Sequence, residues 1–372
     1  MKYLRENRSL LLVALSALAM PATGWATALL YYGGPVVSNA RVVMVNWSAN
    51  VPATVQSGLP GFYDDVVQSD YWTILREYAT NVNAQDGGTS TNQQIGFGSL
   101  AGIFTIAPTN CAGTTSCTLS DTDMDAELAS QITAGHLPVP TTDAAGNVNT
   151  VYMVHFHPNV TITIRGGSSQ SCVNFCSASV NFSYAGLIVP AGIIPDQGGA
   201  CSAGCGAGTY FQNETRISIY SLANLVTDPL IGSATVVGRP LAWYAPSSPQ
   251  GQISDICIAS SAATIVANGN SYSVAKLWSN QHAACIAVDN VFVVKPSAAS
   301  NGSISPNVLQ AVNSGATTSF TVTPNAGYTA IVGGTCGGTL IGTTYTTNAV
   351  TVDCSVTATF IDRIFASGFE AP

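Results

Sequence analysis

The stretch Asn213–Pro229, NETRISIYSLANLVTDP, decides how the rest of the chain reads. Ile217, Leu222, Leu225 and Val226 recur at helical spacing, and Asn213 or Thr215 can cap the start with Glu214 in the first turn. Asp228 ends the helix, because the residue before Pro229 is pushed out of the α region. Tyr220 and Asn224 lie four positions apart and share a face, with Ser221 beside them. A helix with His-Glu-x-x-His or His-Glu-x-x-Glu on that face binds zinc. This one has the frame and none of the ligands.

Before the helix, Arg41–Trp47 follows a Gly-Gly-Pro turn and reads as a strand, and Asp64–Asn81 is amphipathic at helical period. Val67, Tyr71, Ile74, Leu75 and Tyr78 face one way along it. Ile95–Phe97 and Gly102–Ala107 are strand fragments, and Ser120–Ala134, with its cap and acidic first turn, reads as a helix. Val148–Phe156, Val160–Ile164 and Asn181–Pro195 read as strands, as do Tyr272–Trp278 and Ile286–Val294 after the helix. Helices interspersed with strands predict a mixed α/β (α+β) main domain of three layers over residues 27–294. Residues 295–361 change character to short Thr/Val-rich strands between Asn-Gly, Ser-Gly and Gly-Gly turns, which predicts a small all-β domain. Residues 362–372 form a tail.

Only 8% of the 372 residues are charged, against roughly 25% in ordinary soluble domains. Lys2, Arg5 and Arg8 precede the apolar run Leu10–Met20 and small residues near Ala26, the pattern of a secretory signal over residues 1–26. That run is too short to span a bilayer, so the mature chain is expected to be secreted, with no transmembrane segment. Removing it takes three basic residues and one acidic residue from totals of 11 and 19. Eight then face 18, a net of −10, which disfavours nucleic acid and anionic lipid as partners.

All ten cysteines follow the signal, an even number in an oxidising compartment, and read as disulfides. Spacing suggests the local loops Cys111–Cys117, Cys257–Cys285 and Cys336–Cys354. Cys172, Cys176, Cys201 and Cys205 pair either within each CxxxC or across the two, and the spacing leaves both open.

His155 and His157 lie two apart at a strand end, where a pair of metal ligands would sit. No third ligand is near in sequence, and a plain strand end is the favoured reading. His282 adjoins a disulfide cysteine and reads as structural. Asp121, Asp123 and Asp125 alternate as in a calcium loop but lack its Gly and terminal Glu, so a capped helix start explains them better. Asp228 and Asp255 read as structural carboxylates that accept backbone N–H groups in turns. There is no G-x-S-x-G elbow, no phosphate-cradling loop and no dinucleotide fingerprint at a strand–helix junction.

Taken together, several pieces resemble the Exordium-like (phosphate-induced) proteins and related bacterial secreted proteins. The resemblance rests on YYGGPVVSNARVVMVNWSANVP at 31–52, DDVVQSDYWTILREY, CVNFC, CSAGC and LANLVTDPLIG. It continues with Trp243-Tyr244, GQISDIC at 251–257 and LWSN at 277–280, and covers roughly residues 30–290. Bacterial relatives carry S-H-E-L-x-E-x-x-T-D-P and G-E-I-G-D-x-C at the corresponding places. By that matching the helix histidine is Tyr220, the glutamate base is Ser221, the second helix acid is Asn224 and the later glutamate is Gln252. The resemblance therefore implies a metallopeptidase-like scaffold whose zinc ligands and base are replaced, since an amide or a neutral phenol does not substitute for them. Residues 302–360 resemble a divergent internalin-type B-repeat, a β-rich spacer or adhesive unit, and DRIFASGFE resembles a short tail of exported proteobacterial proteins.

These readings predict a secreted, non-catalytic protein with no cofactor. It would bind a polysaccharide, peptide or surface protein through Tyr220, Ser221, Asn224, Trp243, Tyr244 and Gln252 lining the old cleft. Two alternatives remain: a metal-dependent hydrolase built on His155 and His157, and a structural surface or matrix component.

Overall fold

In the computed structural model, residues 28–234, 236–247 and 250–363 are described. The signal segment and all but the first two residues of the tail therefore lie outside the described residues.

Arg41–Asn46 (β1), Ser99–Thr105 (β2), Thr150–His155 (β3), Ala178–Tyr184 (β4) and Leu187–Ile194 (β5) form one sheet in the order β2-β1-β3-β5-β4. The pairs β1–β2, β1–β3 and β3–β5 are parallel, and only the edge strand β4 runs antiparallel. Every residue of β1 after Arg41 is buried, which requires a layer over each face. Alternation along the strands divides their side chains between two cores. Val42, Met44, Val151 and Met153 pack against helices Ala53–Val66 (α1) and Tyr210–Thr227 (α3). Val43, Val45, Tyr152 and Val154 pack on the other side against Asp121–Thr133, which we label α2 by its place in the chain.

Local sequence accounts for most of these boundaries. Ser120 caps α2 in a reciprocal capping box with Asp123. α3 starts earlier than Asn213 or Thr215 implies, because Thr209 and Gln212 form its capping box. The periodic stretch Asp64–Asn81 is split. α1 ends at Val66, and a 3₁₀ helix, Tyr71–Tyr78, begins where the Asp70 carboxylate accepts the Tyr71 N–H. Val67, Tyr71, Ile74, Leu75 and Tyr78 are nonetheless all buried, so the periodicity identified the inward face and not the break. Gly58, Pro60 and Gly61 obscure the middle of α1 in the sequence. Asn181–Pro195 is a hairpin rather than one strand, turned by Ala185 and Gly186, both at positive φ. Ser99–Thr105 replaces the two fragments expected there, and Ile95–Phe97 is not a strand.

Beyond α3, the Asn268-Gly269 turn joins Ala263–Ala267 (β6) to Asn270–Val274 (β7), and a second hairpin pairs Leu277–Ser279 with Ala284–Ile286. Val291–Ala298 (β8) runs across position 295, where the change in composition begins. Gly302–Ser305 (β9), Gln310–Asn313 (β10), Ser319–Pro324 (β11) and Tyr328–Gly333 (β12) follow. Gly338–Ile341 (β13), Thr344–Thr347 (β14) and Cys354–Asp362 (β15) complete the series. They form two four-stranded sheets, β10-β8-β15-β12 and β9-β11-β14-β13, around Val294, Ile304, Phe320, Val322, Tyr345 and Val356. The described chain is thus mixed α and β, with several sheets, few helices and more strand than helix.

Ten cysteines make five disulfides: Cys111–Cys117, Cys172–Cys201, Cys176–Cys205, Cys257–Cys285 and Cys336–Cys354. The two CxxxC segments pair across each other, so their thiols form no four-thiolate metal site. No described helix is long and apolar enough to cross a membrane.

Candidate functional site

α3 is held by its apolar side, where Ile219, Leu222, Ala223, Leu225 and Val226 are fully buried. Its polar residues are buried too. Asn213, Glu214, Thr215, Ser218, Ser221, Asn224 and Thr227 all lie in the interior, so each needs a partner inside the protein.

At the second half of the helix Thr227 Oγ1 donates to the Ala223 carbonyl at 2.9 Å, and the Ser221 hydroxyl has no protein partner. Asp255 gathers Asn224 together with the half-buried Tyr220. Its Oδ1 accepts the Tyr220 hydroxyl at 2.5 Å and Asn224 Nδ2 at 3.0 Å, and its Oδ2 accepts the Gln252 backbone N–H at 2.9 Å. Asn224 Oδ1 takes the Ser254 N–H at 2.8 Å, and Gln252 Nε2 donates to the carbonyls of Asn224 and Asp228, each at 3.1 Å. The helix face and the 251–255 loop therefore lock together around one carboxylate. Gly251 is required in this loop: its φ is +145°, and a Cβ there would lie 2.5 Å from the Asp255 side chain. Burial raises the Tyr220 phenol first, and the Asp255 charge and hydrogen bond raise it further, so it stays a neutral donor.

Asp228, the residue after α3, is wholly buried. Its Oδ1 accepts the Ala242 N–H at 2.8 Å, while Oδ2 has no protein partner. Burial pushes this carboxyl up to about 8. The Ala242 hydrogen bond opposes the rise, and the Asp255 charge adds to it.

These positions do not form the exposed surface expected of them. Ser221, Asn224 and Gln252 are buried, and Trp243 is 9% exposed, with its ring 5.4 Å from both Tyr31 and Tyr78. Only Tyr220, Tyr244 and Asp255 keep partial solvent access. The sequence told which residues share a helix face. It did not show that the loop folds over that face, because the contact spans 24 to 35 positions.

The two histidines diverge. His155, at the end of β3, turns toward α1 and α3, with Nε2 3.0 Å from the Tyr63 hydroxyl and Nδ1 3.8 Å from Glu214 Oε2. His157 lies past the strand end, with Nδ1 and Nε2 each 2.8 Å from a carbonyl oxygen, of Pro158 and Cys111. Neither ring nitrogen of His157 is free for a metal, so the pair is not a joint ligand set. The Tyr63–His155–Glu214 contact was missed in the sequence, although a glutamate inside a buried helix was a usable signal. His282 meets Ser279 Oγ at 3.0 Å and Asp289 at 3.6 Å, beside Cys285. Asp123 serves the capping box, and Asp121 Oδ2 accepts the Arg165 N–H.

Among the described residues no three His, Cys, Asp or Glu side chains come together as a metal group. At the positions matched to a zinc motif, a phenol and two amides donate hydrogen bonds to protein acceptors. Donors of that kind do not fit a zinc ion. Comparison of the chain with family models, curated proteins and solved structures finds no match.

Proposed function

We propose that this chain is an exported, non-catalytic binding protein on a zinc-peptidase-like scaffold that has lost its metal site. The observation that carries the reading is the Asp255 network. Tyr220 and Asn224, two of the positions matched to zinc ligands, both donate to this carboxylate, and Asn224 also holds the Ser254 N–H. Side chains that would serve a metal instead serve one another, and the general base is replaced by the buried Ser221.

The mostly parallel sheet with one antiparallel edge, followed after a disulfide-bonded loop by the long helix, supports the scaffold part of the proposal. Five disulfides support export, since such bonds persist in oxidising compartments. We take residues 291–362, with their own core, as a β module of surface-protein type. The partner is an extracellular polysaccharide, peptide or surface protein.

Metal analysis of the purified chain, paired with a peptide-cleavage assay, tests the reading. The expected result is substoichiometric zinc and no cleavage with or without chelator. One zinc per chain, removed by chelator together with a peptidase activity, overturns it.

A further inference from the structure

Away from α3, a cavity of about 630 Å³ lies where α1, the β6–β7 hairpin and the C-terminal sheets meet. That volume falls within the roughly 300–1,000 Å³ typical of ligand sites. Three independent features of its walls point to one kind of occupant.

The first is a strand edge. β6 pairs with β7 and with no other described strand, and the Ser273 carbonyl of β7 accepts Thr215 Oγ1 of α3 at 2.8 Å, so β7 is the inner strand. Thr264, Ile265 and Val266 are consecutive in β6, yet all three line the cavity. Consecutive side chains point to opposite faces, so what they share is the strand edge with its main-chain N–H and C=O groups. An edge of this kind is a template for a further strand.

The second is charge. Asp64, Asp65, Asp70 and Asp353 line the cavity against one cation, Lys295. Asp353 is open to solvent on one side. Partial burial on the other pushes its carboxyl up to about 6. The Val293 N–H, donating to Oδ1 at 2.8 Å, opposes the rise and the Asp70 charge adds to it, and burial raises Asp70 as well. A cationic side chain between them relieves that crowding.

The third is apolar surface. Val266, Val288 and Val352 stand on the walls with 62%, 56% and 63% of their surface exposed. One exposed valine is ordinary, but three around one groove make a patch for a partner.

We propose that this groove binds an extended peptide segment with alternating basic and apolar side chains, added as a third strand to β6. In β6, Ile265 and Ala267 turn into the core shared with α1, while Val266 turns outward. A strand laid beside β6 inherits this alternation. Its basic side chains then meet the carboxylates next to α1, and its apolar ones meet Val266 and the valines opposite. An extended peptide fits better than a glycan, because the open edge offers main-chain hydrogen bonds in strand register.

The test is fluorescence anisotropy of the full chain with a short synthetic peptide alternating Lys and Val, beside Glu/Val and Lys/Ser counterparts. The Lys/Val peptide is expected to bind most tightly, and Asp64→Asn with Asp353→Asn to weaken it about tenfold. Val266→Ser weakens it as well, and Lys295→Glu strengthens it. All of these residues, Val266 included, lie outside the three hydrophobic cores, and unchanged circular-dichroism melts check that each variant folds. No detectable Lys/Val binding, equal binding of Glu/Val or Lys/Ser, or indifference to the double Asp substitution overturns the proposal. Zinc at α3 would refute the preceding reading and leave this one standing.

Discussion

Asn224→Ala gives the most direct check on the network at the C-terminal half of α3. The substitution removes the Nδ2 bond to the Asp255 carboxylate at 3.0 Å and the acceptor of the Ser254 N–H at 2.8 Å. A hydrogen bond to a charged group contributes about 1.5–3 kcal/mol, and an orphaned buried N–H costs about 1–3 kcal/mol. Alanine's better helix propensity offsets about 0.5 kcal/mol. The net expectation is about 3 kcal/mol of destabilisation. Urea unfolding followed by tryptophan fluorescence reads it, and a slope of about 3 kcal/mol per molar places the midpoint shift near 1 M. Tyr220→Phe removes the other donor to the same Asp255 oxygen, so the two substitutions should couple by roughly 1 kcal/mol in a double-mutant cycle. A loss below about 0.5 kcal/mol, with additive effects in the cycle, would show that the carboxylate is not held by these side chains.

Further consequences concern pH and the frame around the site. Asp228 has a folded pKa near 8, raised above its unfolded value, so the folded state holds the extra proton between about pH 4 and 8. Its contribution is therefore present at low pH and lost as pH rises through that window. Asp228→Asn should reduce the fall in stability between pH 5 and pH 8, and an equal fall in both proteins refutes the assignment. Asp65 accepts Asn268 and Asn270 amides at 2.9 Å each and the Tyr272 hydroxyl at 2.7 Å. Asp65→Ala should cost about 3–5 kcal/mol in denaturant unfolding, because three donors lose one charged acceptor. Because Cys172–Cys201 already closes nearly the same loop, Cys176–Cys205 adds only a ring of about 8 residues (four on each side), which the chain-entropy relation converts to about 2.5 kcal/mol. The paired alanine variant should show that loss, and non-reducing peptide mapping should recover Cys172–Cys201 and Cys176–Cys205 together.

Legibility in the sequence followed the range of the interactions. The cap and acidic turn at Ser120–Asp123 made α2 readable within a residue, and the β-branched runs located β3 and the strand Val160–Ile164. Three disulfides that close loops within the chain were readable from spacing. The crossed pairs Cys172–Cys201 and Cys176–Cys205 were not, because either pairing satisfies the same spacing. Burial of Val67, Tyr71, Ile74, Leu75 and Tyr78 was foreseen, while the break before Asp70 depends on how α1 meets its neighbours.

For NETRISIYSLANLVTDP, local sequence alone determined that a helix forms, that it stops at Asp228 and that Tyr220 and Asn224 share a face. Those features follow from spacing, capping and the proline constraint, all of which act within a few residues. The tertiary structure decided what that face does. Asp255 lies 31 positions from Asn224 and 35 from Tyr220, and only folding brings its carboxylate under both donors. A buried polar side chain must find a partner wherever the chain supplies one. That requirement turned a face read as an open cleft into a closed hydrogen-bonded junction, and left the open groove beside β6.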